Sequence, residues 1–318
     1  VEPPGTLPGK VYDVVKDFAA DPTGGEDATK AIQNAINAAV LAGGGNVDFP
    51  PGTFRCDGVL TVHGGNLLLR GAGSDKSRIR FTGHKDMAHK AHITIGVLPK
   101  HTTQHVLVED AASRATQLSV ENAGELAPGD DVDVGWLISD DFVAEHGMKG
   151  TWKAFNGTWQ PFFRRQVVAV HTQSSPHIVT LDVPLRYPAK MRDQASLQRS
   201  TGWLREVGVQ GRGLAKAVSW TDAWAHYQVQ LLELRGVTDG WVRDVVSFAP
   251  PQPEGGFMPD AHLQSGGILV RASKRVTVSD CQMSRAQHRG GGGNGYLFQL
   301  RTSSEILTRD CAGRDGRH

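Results

Sequence analysis

Leu232-Glu233-Leu234-Arg235, Ile268-Leu269-Val270-Arg271 and Phe298-Gln299-Leu300-Arg301 are three copies of one short pattern in the C-terminal third of the chain. Each arginine is followed nine residues later by an aspartate, Asp244, Asp280 or Asp310, and ten residues later by Val245, Cys281 or Cys311. Apolar residues at every second place before the arginine read as a strand with one face inward. The copies lie 36 and then 30 residues apart, within the range of roughly 20 to 45 residues over which structural repeats stack. A unit this small cannot bury its own apolar face. Stacked copies share one core, and their strands form parallel ladders with rungs about 4.8 Å apart.

Working outward, the 318 residues are 39% hydrophobic and include 38 glycines, enough for a sizeable core with many turns. A net charge of +1 gives no overall pull toward nucleic acid or a membrane surface, and no run is long and apolar enough to span a bilayer. Three cysteines are too few for a disulfide framework. Cys281 and Cys311 fall one above the other in the repeat, with parallel Cβ vectors, so a reduced core ladder is expected rather than a bond.

Ahead of the repeats, residues 27–41 form the one clear helix, with Ile32, Ala35, Ile36, Ala39 and Val40 on one face and Gly43, Gly44 and Gly45 to stop it. Strand-like segments follow at 46–49, 67–70 and 78–81. The end coil of a stack leaves its core open, and a polar-backed helix is suited to cover it. Residues 111–188 break the rhythm: 117–120, 131–134, 166–170 and 178–181 alternate like antiparallel strands, around a concentration of aromatics at Trp136, Trp152, Phe155, Trp159, Phe162 and Phe163. These rings suit the core of a small barrel, or a platform for sugar rings. Asn156-Gly157-Thr158 matches a glycosylation acceptor.

The opening from Val11-Tyr12-Asp13-Val14-Val15-Lys16-Asp17-Phe18, through Asp21, Thr23-Gly24, residues 27–39, Gly43-Gly44-Gly45 and Val47 to Gly52-Thr53-Phe54, resembles that of the pectate-lyase superfamily. It is also similar to the openings of fungal exo-β-1,3-glucanases and phage tailspikes. The resemblance covers residues 11–81 and implies an all-β chain: a right-handed parallel β-helix (solenoid) with an N-terminal helical cap and an inserted small β-subdomain. The expected division is 1–110 for the cap and first coils, 111–200 for the insertion and 201–318 for further coils. The stretch that resembles the family forms cap and first coil, so it transfers no catalytic residue.

Loops of unequal length, 250–266 and 287–295, leave the same corner of successive coils and build the walls of a cleft. Eight residues on from the repeated aspartates stand His288 and His318, which the repeat places in one column, and five residues on stand Arg285 and Asp315, a prospective ion pair. Two imidazoles so close cannot both be charged cheaply, so one stays neutral and is available as a base. Arg289, Arg314 and Arg317 are suited to hold a sugar carboxylate, with Asp260 and His262 nearby. The expected catalytic set is His288, His318, Asp315 and Asp260. Arg289, Arg317, His262, Trp224, Asp222 and His226 are expected to bind substrate, the last three in a patch with Trp220 and Tyr227. The repeated arginines and aspartates recur in every coil, which argues for coil construction.

This chemistry suits a secreted polysaccharide-degrading enzyme, a lyase on a uronic-acid polymer ahead of a glycoside hydrolase working through Asp260 and Asp315. A non-catalytic glycan-binding stalk is the reading from another class. No metal-ligand spacing appears, although clustered aspartates would suit calcium. The chain is written to His318 in the middle of a repeat, so further residues or another subunit are expected to cover that end of the stack.

Overall fold

The computed structural model describes residues 5–154, 157–173, 175–253 and 258–317, and they are mostly β. They divide into two compact units. One comprises the described residues up to Leu98 together with Trp203–Arg301 and those from Glu305 onward, and the other is Pro99–Gly202 with Thr302–Ser304.

In the first unit the three repeated strands, Gln230–Arg235, Gly266–Arg271 and Phe298–Arg301, pair in parallel. Their register is the one the repeat requires: Leu232 faces Ile268 and Ile268 faces Phe298, and Arg235, Arg271 and Arg301 align. The same ladder runs back through Ala91–Gly96 to Leu60–Val62. A second parallel ladder joins Val11–Asp13, Gly45–Phe49, Leu67–Gly71, Val207–Lys216, Val237–Ser247 and Lys274–Ser279, ending on Ser304–Arg309. A third row, Gly52–Cys56, Ser77–Phe81 and the end of Val207–Lys216, continues it. Leu60, Leu69, Ile93, Val209, Leu234, Val242, Val270 and Val278 from these ladders meet in a single core. Apolar side chains at every second position can do this only if all strands keep register, since a slip of one residue would turn each of them outward.

The helix is Thr29–Leu41, and it lays Ile32, Ala35, Ile36 and Ala39 into that core. Asp27 holds its start: one carboxylate oxygen accepts from the Thr29 amide at 3.0 Å and from the Asp57 amide at 3.0 Å. The amides of Ala42, Gly43 and Gly44 close the last turn onto Ala38, Val40 and Ala39, with Gly43 at φ +85°.

The recurring aspartates are corner residues. Asp244, Asp280 and Asp310 sit at φ 50°, 55° and 54°, in the left-handed region that Asp tolerates better than most side chains. The residue after each aligned arginine is left-handed too: Gly236, Ala272 and Thr302. Cys281 beneath its corner is buried and free, its thiol directed at the Ser279 carbonyl at 3.1 Å, and Cys311 is also free. Glu233, on the outward face of its strand, is nonetheless buried and paired with Arg235. At the last strands, Leu300 and Leu307 are half exposed.

The second unit is an antiparallel sheet of six strands in the order Lys100–Val106, Ser196–Thr201, Asp131–Leu137, Trp159–His171, His177–Leu181, Gln117–Val120. Four of these lie on the segments whose alternation predicts antiparallel strands. The two outermost by sequence, at residues 100–106 and 196–201, carry no such pattern and bring the ends of the unit together. It has its own core, built on Leu118, Val132, Val134, Val167, Val179 and Leu197. Phe155 and the acceptor Asn156 lie outside the described residues. Among the described residues no helix is long and apolar enough to cross a membrane.

Candidate functional site

Backbone hydrogen bonds string the first unit's polar residues along one edge. The Ala217 amide bonds to the Phe81 carbonyl, Lys216 to His262, His262 to Arg285 and Arg285 to Arg314, at 2.8–3.0 Å. Segments far apart in sequence are thereby placed on adjacent rungs. His262, from the long loop after Val237–Ser247, is the centre of the resulting cluster.

The His262 imidazole is half buried. Its Nδ1 lies 3.0 Å from Ser247 Oγ and 3.1 Å from Ser284 Oγ, while its Nε2 has no hydrogen-bond partner among the described residues. Ser247 Oγ also accepts from the Ser284 amide at 2.9 Å, which fixes the hydroxyl. Arg285 pairs with Asp260 through Nη1 and lies 3.8 Å through Nε from Asp315. Both carboxylates are exposed, and the guanidinium links them. Burial pushes the His262 pKa below its ordinary value, and the Arg285 charge adds to the shift. Asp260, a hydrogen bond to Ser247, and Asp315 pull the other way without reversing it. The imidazole is therefore a neutral base beside a cation and two anions.

His288 stands elsewhere. It is 1% exposed, its ring stacked on Trp224 at 4.5 Å and tilted against Tyr227 at 5.2 Å, with Nδ1 3.2 Å from the His226 carbonyl. This corrects its expected place on an open corner. Residues 220–228 fold over it, so the His288 ring is packed against aromatic side chains rather than facing solvent. His318, the expected other half of the column, lies outside the described residues.

Trp224 keeps 39% of its surface exposed on the short helix Trp220–Ala225. Asp222 on the same helix accepts from the Ser219 hydroxyl at 2.7 Å and lies 3.7 Å from His84 Nε2, while His226 Nδ1 is 3.4 Å from the Asp222 carbonyl. Arg289 and Arg317 are exposed and flank Gly295, whose carbonyl accepts from the Arg317 amide at 2.9 Å. The structure thus brings together His262, Asp260 and Asp315 around Arg285. It separately groups Asp222, His226, Trp224 and His288.

Sequence reasoning missed several residues. Ser247 and Ser284 orient the imidazole, yet no spacing relates them. His84 and Arg80 line a groove of about 460 Å³ with Asp222 and Gln252, and His84 also lines a neighbouring groove of about 510 Å³ with Asp57, Lys85 and Lys90. Lys216 is fully buried under these grooves, its ammonium bonded to the Gly83 carbonyl at 2.6 Å and its pKa pushed down to about 7 by burial. Among the described residues, no group of three or more His, Cys, Asp or Glu side chains is arranged to hold a metal ion.

A family model described as rhamnogalacturonase A/epimerase, pectate lyase-like, matches residues 13–118. Those residues are pectate-lyase-like. Mannuronan C5-epimerase AlgE6 of Azotobacter vinelandii is 45% identical over 73 residues, 21% of this chain and 8% of that protein. Alginate lyase 7 of the same organism is 42% identical over 72 residues, again 21% of this chain and 8% of the relative. The chain spans 4–8% of the length of the curated relatives it matches. Among solved structures, the tailspike gp61 of Pseudomonas phage phi297 aligns over 96% of this chain and 52% of its own, at 12% identity and a TM-score of 0.47.

Proposed function

We propose that this chain belongs to an extracellular enzyme acting on an acidic polysaccharide, and that it cleaves a uronic-acid polymer by β-elimination with His262 as the base. The parallel ladders and repeated left-handed corners support a right-handed β-helix for the first unit, with Thr29–Leu41 as its cap. On such a scaffold a polymer lying along the stack meets one rung after another. The observation that carries the reading is the His262 imidazole, held neutral by burial and anchored through Nδ1 by two serines, with Nε2 unengaged and a guanidinium beside it.

The reaction balances on these groups. A cation beside the sugar carboxylate acidifies the C5 proton, and Arg285, or the exposed Arg289 and Arg317, supply it. Nε2 of His262 takes that proton. The C5–H electron pair becomes the C4=C5 double bond, and the C4–O bond breaks with its pair on the glycosidic oxygen, which is protonated from water. Asp260 and Asp315 share one guanidinium, a geometry suited to holding Arg285 in place. The hydrolase reading would need one of these carboxyl groups to act as an acid instead.

The relatives named for C5 epimerisation and for alginate lysis favour one further reading. Inversion at C5 begins with the same proton removal and differs only in where a proton returns. A panel of polysaccharides read for unsaturated product by ultraviolet absorbance, for new reducing ends, and for solvent deuterium at C5 separates the outcomes. Absorbance with ends is expected. Ends without absorbance mean hydrolysis, deuterium without ends means epimerisation, and binding with none of the three leaves a glycan-binding stalk. His262→Ala should lower turnover at least about 100-fold with the fold intact. Full activity in that variant would refute the assignment.

A further inference from the structure

The second unit carries a groove of about 790 Å³ that the proposed chemistry does not use. One wall is a continuous row of rings. Phe162 stacks on Trp136 at 4.1 Å, Trp136 faces Tyr187 at 5.9 Å, Tyr187 faces His146 at 5.7 Å, and His146 meets Trp152 at 5.5 Å. Trp152 ends the row with 46% of its surface exposed, and the exposed Lys153 stands next to it on the rim. Rings that only filled a core would be closed over, and among the described residues this row is left lining a groove.

Two polar details point to a ligand. Trp136 is 2% exposed and lines the groove, yet its indole Nε1–H has no acceptor among the described residues, in an interior where buried donors are normally paired. His146 Nδ1 lies 2.6 Å from the Phe142 carbonyl, which can only accept, so Nδ1 carries hydrogen. His146 Nε2 lies 2.6 Å from the Tyr187 hydroxyl, and with that hydroxyl's hydrogen directed at Nε2 the Tyr187 oxygen keeps a lone pair for a further donor. An unpaired donor, an available acceptor, a cation at the rim and flat apolar faces are the set that recognises a pyranose ring by stacking and hydrogen bonds.

We infer that the second unit holds a separate, non-catalytic binding site for a chain of carboxylate-bearing pyranosides, seated on Trp152 and the ring row with Lys153 against a carboxylate. The ligand class rests on the function proposed above, whereas the site does not depend on the reaction. Two sites on one chain would raise the local concentration of a long polymer at the His262 cluster without any new contact there.

The test is calorimetric titration of the full chain carrying His262→Ala, so that ligand is not consumed, with a short oligomannuronate, a neutral β-glucan oligomer and 1-anilinonaphthalene-8-sulfonate. Two oligomannuronate-binding events are expected, and adding Trp152→Ala should remove one or weaken it at least about tenfold. Lys153→Glu, a change at the exposed rim, should weaken the same event. Superimposable isotherms with and without Trp152 would overturn the site. Trp152-dependent binding of the naphthalene probe with neither sugar bound would make it an apolar-ligand pocket, and binding of the neutral oligomer alone would remove the acidic ligand. If the chain proves not to cleave uronates, these titrations still decide, because they read binding only.

Discussion

His262 sets the pH at which its cluster can accept a proton. A free imidazole loses its proton near about 6.5, and burial with Arg285 alongside moves that point lower here. The basic form is present above the lowered value and lost as pH falls through it, so the acid limb of kcat/KM should lie below pH about 6.5. Arg285→Gln removes the cation and releases Asp260 and Asp315, which both favour the protonated ring. Its residual activity should therefore show the acid limb at higher pH, and an unmoved limb would mean that another group titrates. His92 makes a stability prediction of the same kind. It is stacked on Phe81 at 4.8 Å, fully buried, with neither ring nitrogen hydrogen-bonded among the described residues. Burial pushes its pKa well below 6.5, with Lys216 acting in the same direction. Below that ordinary value the unfolded chain binds a proton the folded chain refuses. Stability is thus full above about pH 6.5 and declines on acidification. His92→Leu should flatten the pH dependence of the thermal midpoint between about pH 5 and 7, and an unchanged slope would exonerate this residue.

At the scale of elements, strands and corners do different work. The strands supply burial, and the corners let the chain change direction at one residue. Asp280 is exposed at φ 55° and follows Ser279, the last residue of Lys274–Ser279. The recurrence of aspartate there reflects that backbone angle. Asp280→Gly should leave stability within a few tenths of a kcal/mol, whereas Asp280→Val, with a branched Cβ in a left-handed corner, should cost about 1–2 kcal/mol in urea unfolding. Equal midpoints for the two variants would show that the column serves something other than the turn. The repeat made this legible in sequence, because one residue type at one offset in three repeats has a shared backbone cause. Ser247 and Ser284 were not legible. They meet His262 from different positions relative to their corners, Asp244 and Asp280, so no single offset in the repeat marks them.

For the whole molecule, the consequential fact is that each unit has a main core of its own among the described residues. Leu197 is fully buried in the second, and Leu234 is fully buried in the first. Each substitution to Ala should cost about 2–5 kcal/mol, but in different transitions if the cores melt separately. Urea unfolding followed by far-ultraviolet circular dichroism and by tryptophan fluorescence should therefore give non-coincident curves, with Leu197→Ala shifting one component and Leu234→Ala the other. A single coincident transition moved by both would show the units to be one cooperative body.

Periodicity alone determined the ladders. Arg235, Arg271 and Arg301 align because a strand's side chains alternate with a period of two, and any slip would expose the whole apolar face. The same rule placed Arg285 beside Asp315. Loops have no period, so spacing does not fix where their side chains lie. Counting along the chain put His288 at an open corner, but residues 220–228 pack their aromatic side chains over it. Counting gave His262 only a supporting role, but rung-on-rung hydrogen bonds bring it between Ser247, Ser284 and Arg285. Whether an imidazole lies in a core or at a site depends on which distant segments cover it, and only the tertiary fold decides that.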